Sequence, residues 1–255
     1  MASPLTVWST TADGWIRSIN ATYATAAGAT SGGGLNDSGS TMVVGQEAGF
    51  SIYESFVGFD TSGVGAENSA TAATLSVYGN YDQSTTDFVI QARLKDWGGS
   101  LDVSTDWVKD SSLGALTLLA SYATSGGFPT NAYTALTGES AFLSNIAKTG
   151  TTYILLNSDR HASTTQPPNE EDVYLYSAND ATGVGGTDRD PKLYVEYGVP
   201  AVAPTVTIVG ISAITENSAA SGGWVVAEGS AEVTERGVCW NMGGTPTIAD
   251  SHTHD

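Results

Sequence analysis

One of the chain's three histidines, His161, lies between Asp159 and Ser163, so the residue types of a serine hydrolase occur together. That chemistry needs the nucleophile on a sharp Gly-x-Ser-x-Gly turn within reach of the imidazole. The sequence contains no such turn, and His161 reads as a solvated loop histidine. Two groups of carboxylates, Glu170-Glu171-Asp172 and Asp102 with Asp106, have the residue types of a glycosidase acid and base. Acidic side chains outnumber basic ones 27 to 9, so some adjacency is expected by chance and both groups read as solvated charge runs.

Metal chemistry has two candidates. Asp180, Asp188 and Asp190 fall in one turn-rich segment before a strand, where carboxylates and backbone carbonyls can hold a structural Ca2+ ion. No cofactor is otherwise required. His252 and His254 are spaced so that a strand would present both imidazoles on one side. The pair sits where a β repeat would end, and it reads as a turn variant.

Aromatic side chains supply the last candidate chemistry. Trp97 follows Asp96, and Trp107 follows Asp106, both in polar, turn-rich surroundings. An exposed indole stacks on the apolar face of a sugar ring while a neighbouring carboxylate accepts hydroxyl hydrogen bonds. Trp97, Asp96, Trp107 and Asp106 are therefore the expected glycan-binding residues, whereas Trp8, Trp15 and Trp240 lie within strand patterns and read as core.

The elements that must position these groups are β-strands. Only 14% of residues are charged and 30 are glycine, a composition of many turns and few solvated helices. Short alternating or apolar runs bounded by Gly, Asp, Asn and Pro predict strands over residues 5–9, 14–19, 41–45, 51–59, 72–78, 87–94, 114–120, 151–158, 172–177 and 192–197. The runs at Glu54–Asp60 and Ala72–Tyr78 read as neighbouring strands joined through a turn capped by Asp60, with Phe56 and Phe59 as core. Residues 26–40 have no periodicity and read as a surface loop, while 139–148 carry the spacing of a short helix. The expected fold class is all-β: a jelly-roll-like two-sheet sandwich over residues 1–198, a Pro-containing linker over 199–204, and a partial immunoglobulin-like β domain over 205–255.

Charge and cysteine content narrow the partners. A net charge of −18 repels nucleic-acid backbones and anionic membranes. Cys239 is the only cysteine, which rules out an intrachain disulfide, and its place in an apolar strand reads as core packing. No apolar stretch is long enough for a membrane span. The first residues lack the charged leader and apolar segment of a signal peptide, which points to a route such as release with virions on host lysis.

In the order Asp13-Gly-Trp-Ile16, Phe56-Val-Gly-Phe-Asp60, Ala72 to Tyr78 and Asp190 to Tyr197, the first domain resembles the DNRLRE-type, disaggregatase-related β-sandwich modules. Glu54 stands where that resemblance leads one to expect a basic residue. Ala213 to Ala219, Val233 to Trp240 and Thr245 to Asp250 are similar to immunoglobulin or fibronectin-like repeats of phage and microbial surface proteins. The two resemblances imply a modular, non-catalytic scaffold. The expected role is a phage virion structural protein, as capsid decoration, head fibre or tail fibre. Its partners would be other virion proteins, further copies of itself and surface glycans. The alternative is a carbohydrate-binding, adhesive module of a secreted microbial surface protein.

Overall fold

The structure is a computed structural model and describes residues 3–47, 49–180, 189–198 and 202–254. The chain divides into two compact units, Met1–Gly198 and Val199–Asp255.

The first unit contains β1 (Ser3–Trp8), β2 (Gly14–Ile19), α1 (Tyr23–Ala27), β3 (Gly34–Asn36), β4 (Thr41–Glu47), β5 (Ser51–Asp60) and β6 (Ser69–Asp82). It continues with β7 (Val89–Leu94), α2 (Asp110–Leu113), β8 (Leu118–Ala123), β9 (Tyr133–Ala135), β10 (Thr137–Gly138) and α3 (Ser140–Ser144). Then follow β11 (Thr151–Ser158), α4 (Asp159–Ala162), β12 (Glu171–Tyr176) and β13 (Lys192–Gly198). The second unit holds β14 (Thr205–Ser212) paired with β15 (Ala220–Ala227), and β16 (Cys239–Trp240) paired with β17 (Ser251–His252).

The first unit is an all-β, sandwich-like fold made by one large antiparallel sheet that curls over itself, in the order β1-β13-β6-β12-β4-β5-β11-β7-β8-β10. Alternating residues of these strands meet inside the curl. Phe59 and Val57 of β5, Leu75 and Val77 of β6, Ile154 and Leu156 of β11, and Leu193 and Val195 of β13 are fully buried in this main core. Burial of such side chains contributes about 1.5–3 kcal/mol each and is the principal term holding the sheet closed.

A second core covers the opposite face of β5. Ile52 and Phe56 of β5, Ile16 of β2 and Leu155 of β11 pack there against Tyr23, Ala26 and Ala27 of α1 and against Trp97, Leu101, Trp107 and Leu113. Nine of the ten residues of β5 are consequently buried, since the strand is covered on both faces. The helix α1 that helps cover it starts at Thr22, whose Oγ1 accepts a hydrogen bond from the Thr25 amide at 3.2 Å.

The architecture departs from the sequence reading in several places. β5 pairs with β2, β4 and β11, whereas β6 pairs with β9, β12 and β13, so the two runs read as neighbouring strands are not ladder partners. Asp60 still caps the turn after β5, accepting from the Ser62 amide at 3.0 Å. Residues 26–40 are not simply a surface loop: Ala26 and Ala27 close a buried helix, and β3 pairs with β2. Trp8 and Trp240 are 42% and 52% exposed rather than core, and Cys239 is only half-buried. The predicted short helix is present as α3, which buries Phe142.

Gly45 fixes the path of β4. Its φ is +120°, and a Cβ there would stand 2.0 Å from the Glu171 carbonyl oxygen, so only glycine permits β4 and β12 to approach this closely.

Candidate functional site

Neither tryptophan expected to stack on sugars is available for it. Trp97 is 4% and Trp107 is 6% exposed, and both belong to the second core. Trp97 packs edge-on against Phe56 and Tyr153, with ring centroids 6.2 and 5.0 Å apart. The Trp107 indole N–H donates to the Ala29 carbonyl at 2.9 Å. The polar, turn-rich segment around them folds inward because β5 presents an apolar second face that must be covered. Asp96 is exposed and accepts from the Gly98 amide at 2.9 Å, while buried Asp106 accepts from the Asp102 amide at 2.9 Å. Asp106 also receives Lys95 at 3.4 Å. Asp102 in turn accepts from the Ser104 amide at 2.7 Å, so both carboxylates cap the backbone of this loop.

His161 is not a solvated loop residue. It lies in α4, fully buried, with its ring stacked on Trp107 at a centroid distance of 5.1 Å. Its Nε2 is 3.2 Å from the Ala27 carbonyl, which places the proton on Nε2 and leaves Nδ1 as an acceptor. Nδ1 faces Oε1 of Glu54 at 3.5 Å, and the other Glu54 oxygen accepts from the Val108 amide at 3.0 Å. Burial holds the His161 pKa down at about 4 and raises that of Glu54 well above the carboxylate range. Both shifts favour the uncharged forms, so burial works against charge on either member of the pair. Both side chains are inaccessible to solvent and lie against the second core.

The acidic run that leads into β12 is also largely buried, with only Glu170 partly exposed. Glu171 and Asp172 are 1% and 0% exposed. Glu171 pairs with Arg160 at 3.3 Å. Asp172, whose carboxylate oxygens have no hydrogen-bond partner, is held up at about pKa 7, mainly by burial and then by Glu47, Glu170 and Asp82.

Of the three aspartates expected to hold calcium, Asp188 lies outside the described residues. Asp180 and Asp190 are both buried, and Arg189 engages Asp180 at 2.6 Å. Asp190 lies near a carboxylate that sequence reasoning missed, Asp13. Fully buried Asp13 has a pKa raised to about 7, chiefly by burial and additionally by the Asp190 charge. One of its oxygens accepts from Ser9 Oγ at 2.8 Å and from the Ala178 amide at 2.9 Å, while the other has no hydrogen-bond partner. An orphaned, buried carboxylate oxygen beside a second carboxylate is what a bound cation would complement.

A group of tyrosines lies elsewhere, on the outer side of β6, β12 and β13. Tyr174 and Tyr176 alternate with buried Val173 and Leu175, Tyr78 follows buried Val77, and Tyr194 separates buried Leu193 and Val195. The resulting rings are half-exposed, and Tyr81 is 56% exposed. Tyr78 meets Tyr133 edge-on at 5.0 Å and Tyr176 at 5.8 Å, while Tyr81 lies 6.3 Å from Tyr174. Four of the hydroxyls are tethered: Tyr78 donates to the Asn131 carbonyl at 2.8 Å, Tyr133 to the Asp190 carbonyl at 2.9 Å, Tyr194 to Glu196 at 2.8 Å, and Tyr174 to Glu47. Lys192 lies 3.7 Å from the Tyr133 ring centre and Arg189 4.1 Å from that of Tyr176. This is a rigid aromatic face carrying cations at one side, held on strands and not on loops. The period-two pattern Val-Tyr-Leu-Tyr of residues 173–176 is the sequence signal that could have found it.

Neither a protein-family profile nor a curated protein sequence matches the chain. Among the described residues no helix is long and apolar enough to cross a membrane.

Proposed function

We propose that the chain is a non-enzymatic structural protein of a phage virion, a capsid decoration, head-fibre or tail-fibre component, that displays its tyrosine face to surface glycans. The observation that carries this reading is the contrast between the two kinds of site. The titratable groups Glu54 and His161 are sealed inside the second core, whereas the tyrosines of β6, β12 and β13 are partly exposed and Tyr81 is 56% exposed. Half-exposed rings with tethered hydroxyls offer stacking surface at little entropic cost. The −18 charge disfavours nucleic acid as the ligand. With one cysteine the fold needs no oxidising compartment, which suits assembly inside a host cell.

A carbohydrate-binding, adhesive module of a secreted microbial surface protein is the second reading, favoured by the same tyrosine face. Proteomics of purified particles and of the secreted and cell-wall fractions separates the two. The virion reading expects the chain in particles at a fixed ratio to the major capsid protein. Its recovery only in the secreted or wall fraction overturns that reading and leaves the adhesive one.

In either setting Asp13, with its unpartnered buried oxygen, is the carboxylate that would help hold a structural Ca2+ ion. Millimolar Ca2+ is then expected to raise the melting temperature of the wild type after EDTA treatment, and not that of Asp13→Asn. Equal shifts in both proteins would remove the ion from this place.

A further inference from the structure

The second unit has an unusual problem for a folded segment: none of its described residues is buried. Ile208 is 86% and Trp224 is 66% exposed on the β14–β15 hairpin, and β16 and β17 are two residues each. A two-stranded hairpin is marginal alone, and small units without a sufficient core are commonly held by a disulfide or a metal. Cys239 is the one cysteine in the sequence, so no disulfide closes within these residues.

A donor set for a metal lies at the β16–β17 end. His252 ends β17, and His254 follows it with its ring centroid 4.4 Å from that of His252. Glu235, from the segment before β16, ion-pairs with His254 through Nδ1 of the imidazole. One ligand atom from each of Glu235, His252 and His254 lies within 4.8 Å of the others. Nδ1 of His252 is 2.7 Å from the Asp250 carbonyl, so the proton sits there and Nε2 keeps its lone pair. A hydrogen bond of this kind from the other ring nitrogen orients metal-binding imidazoles and fixes their tautomer. The two segments can approach because residue 237 is glycine: a Cβ there would stand 1.9 Å from the Thr253 carbonyl oxygen.

We propose that Glu235, His252 and His254 form a transition-metal site, with Zn2+ as the physiological ion, that clamps the segment before β16 to the end of β17. Zn2+ takes imidazole nitrogen and carboxylate oxygen at about 2.0–2.2 Å, so small side-chain rotations bring the three donors into its coordination sphere, with water at the fourth position. The two nitrogen donors select Zn2+ over Ca2+, which takes oxygen. Metal binding here adds directly to the stability of a unit that has little core of its own. The site is independent of the tyrosine face, so either proposal can fail without the other.

The full-length chain, stripped with EDTA and dialysed, is titrated with ZnCl2 by calorimetry and with Co2+ by NMR. One Zn2+ per chain is expected, unaffected by excess Ca2+. Of the three histidines, Co2+ should broaden the imidazole signals of His252 and His254 while those of buried His161 stay sharp. His252→Ala and His254→Ala should each lower zinc affinity at least about tenfold, and amide exchange between residues 235 and 254 should slow only in the loaded wild type. Sharp, unshifted His161 signals in each variant report that the first unit remains folded. No uptake at millimolar Zn2+, or uptake unchanged in the His252→Ala/His254→Ala double variant, overturns the proposal, the latter by assigning the metal to the abundant surface carboxylates.

Discussion

Nδ1 of His161 lies 3.5 Å from Oε1 of Glu54, and neither side chain reaches solvent. The second core on β5 removes the water that would stabilise charge on either group, so burial pushes both towards their uncharged forms. The pair belongs to the stability of the fold.

Glu54→Gln therefore conserves what Glu54 does, since the amide keeps an oxygen for the Val108 N–H and carries no charge. Its unfolding free energy is expected within about 1 kcal/mol of the wild type. Glu54→Ala orphans that N–H and opens a cavity, costing about 2–4 kcal/mol. Urea denaturation of the two variants checks the difference; equal losses would mean that Glu54 is ionised in the fold.

Stability should fall as pH rises from about 4 to about 7. Asp13 and Asp172 have folded pKa values of about 7 against ordinary values of 3.8, so in this window the native state holds protons that the unfolded chain has released. Each such group removes up to about 1.4 kcal/mol per pH unit, and Glu54 acts in the same direction. His161 opposes them: with a folded pKa of about 4 against 6.5, its contribution is present above 6.5 and lost as pH falls towards 4. Three acids outweigh one histidine. Melting temperatures measured in EDTA should decline across the window, and Asp172→Asn should flatten the decline; a curve rising to pH 7 contradicts the assignment.

Trp97→Ala and Trp107→Ala should each cost about 3–5 kcal/mol, as expected for a large aromatic removed from a packed core. In Trp107→Phe most of the packing remains but the Ala29 carbonyl loses its donor, at about 1–3 kcal/mol. Chemical denaturation measures these losses. A stable Trp107→Ala protein with altered ligand binding would return the indole to the surface role its sequence context suggested.

Much of the fold is legible in residue order, and the reasons for the rest are specific. Phe56 and Phe59 read as core and are both fully buried, and β2 and β11 have the bounds their patterns predict. Pairing was not legible, because the partners of β5 and β6 are set by long-range closure of the sheet and not by proximity in sequence. Trp97, Trp107 and His161 were misplaced for one reason. The strand they cover, β5, is apolar on both faces, yet the segments that cover it carry no periodicity of their own. Trp8 and Trp240 erred in the opposite direction, since a strand pattern does not tell which face is covered. The tyrosine face was written in the alternation of residues 173–176, and the separate sequence segments that contribute to it obscured it.

Glycan binding by the tyrosine face is directly measurable. Full-length protein is applied to an array of bacterial capsular and O-antigen polysaccharides, as wild type and as Tyr81→Ala/Tyr176→Ala, with unfolding curves confirming that the variant remains folded. Saturable binding to at least one glycan is expected of the wild type, with a loss of about tenfold or more in the variant, stacking on each ring being worth about 0.5–1.5 kcal/mol. Wild-type binding that the variant retains in full, or no binding to any glycan by a folded wild type, contradicts this expectation.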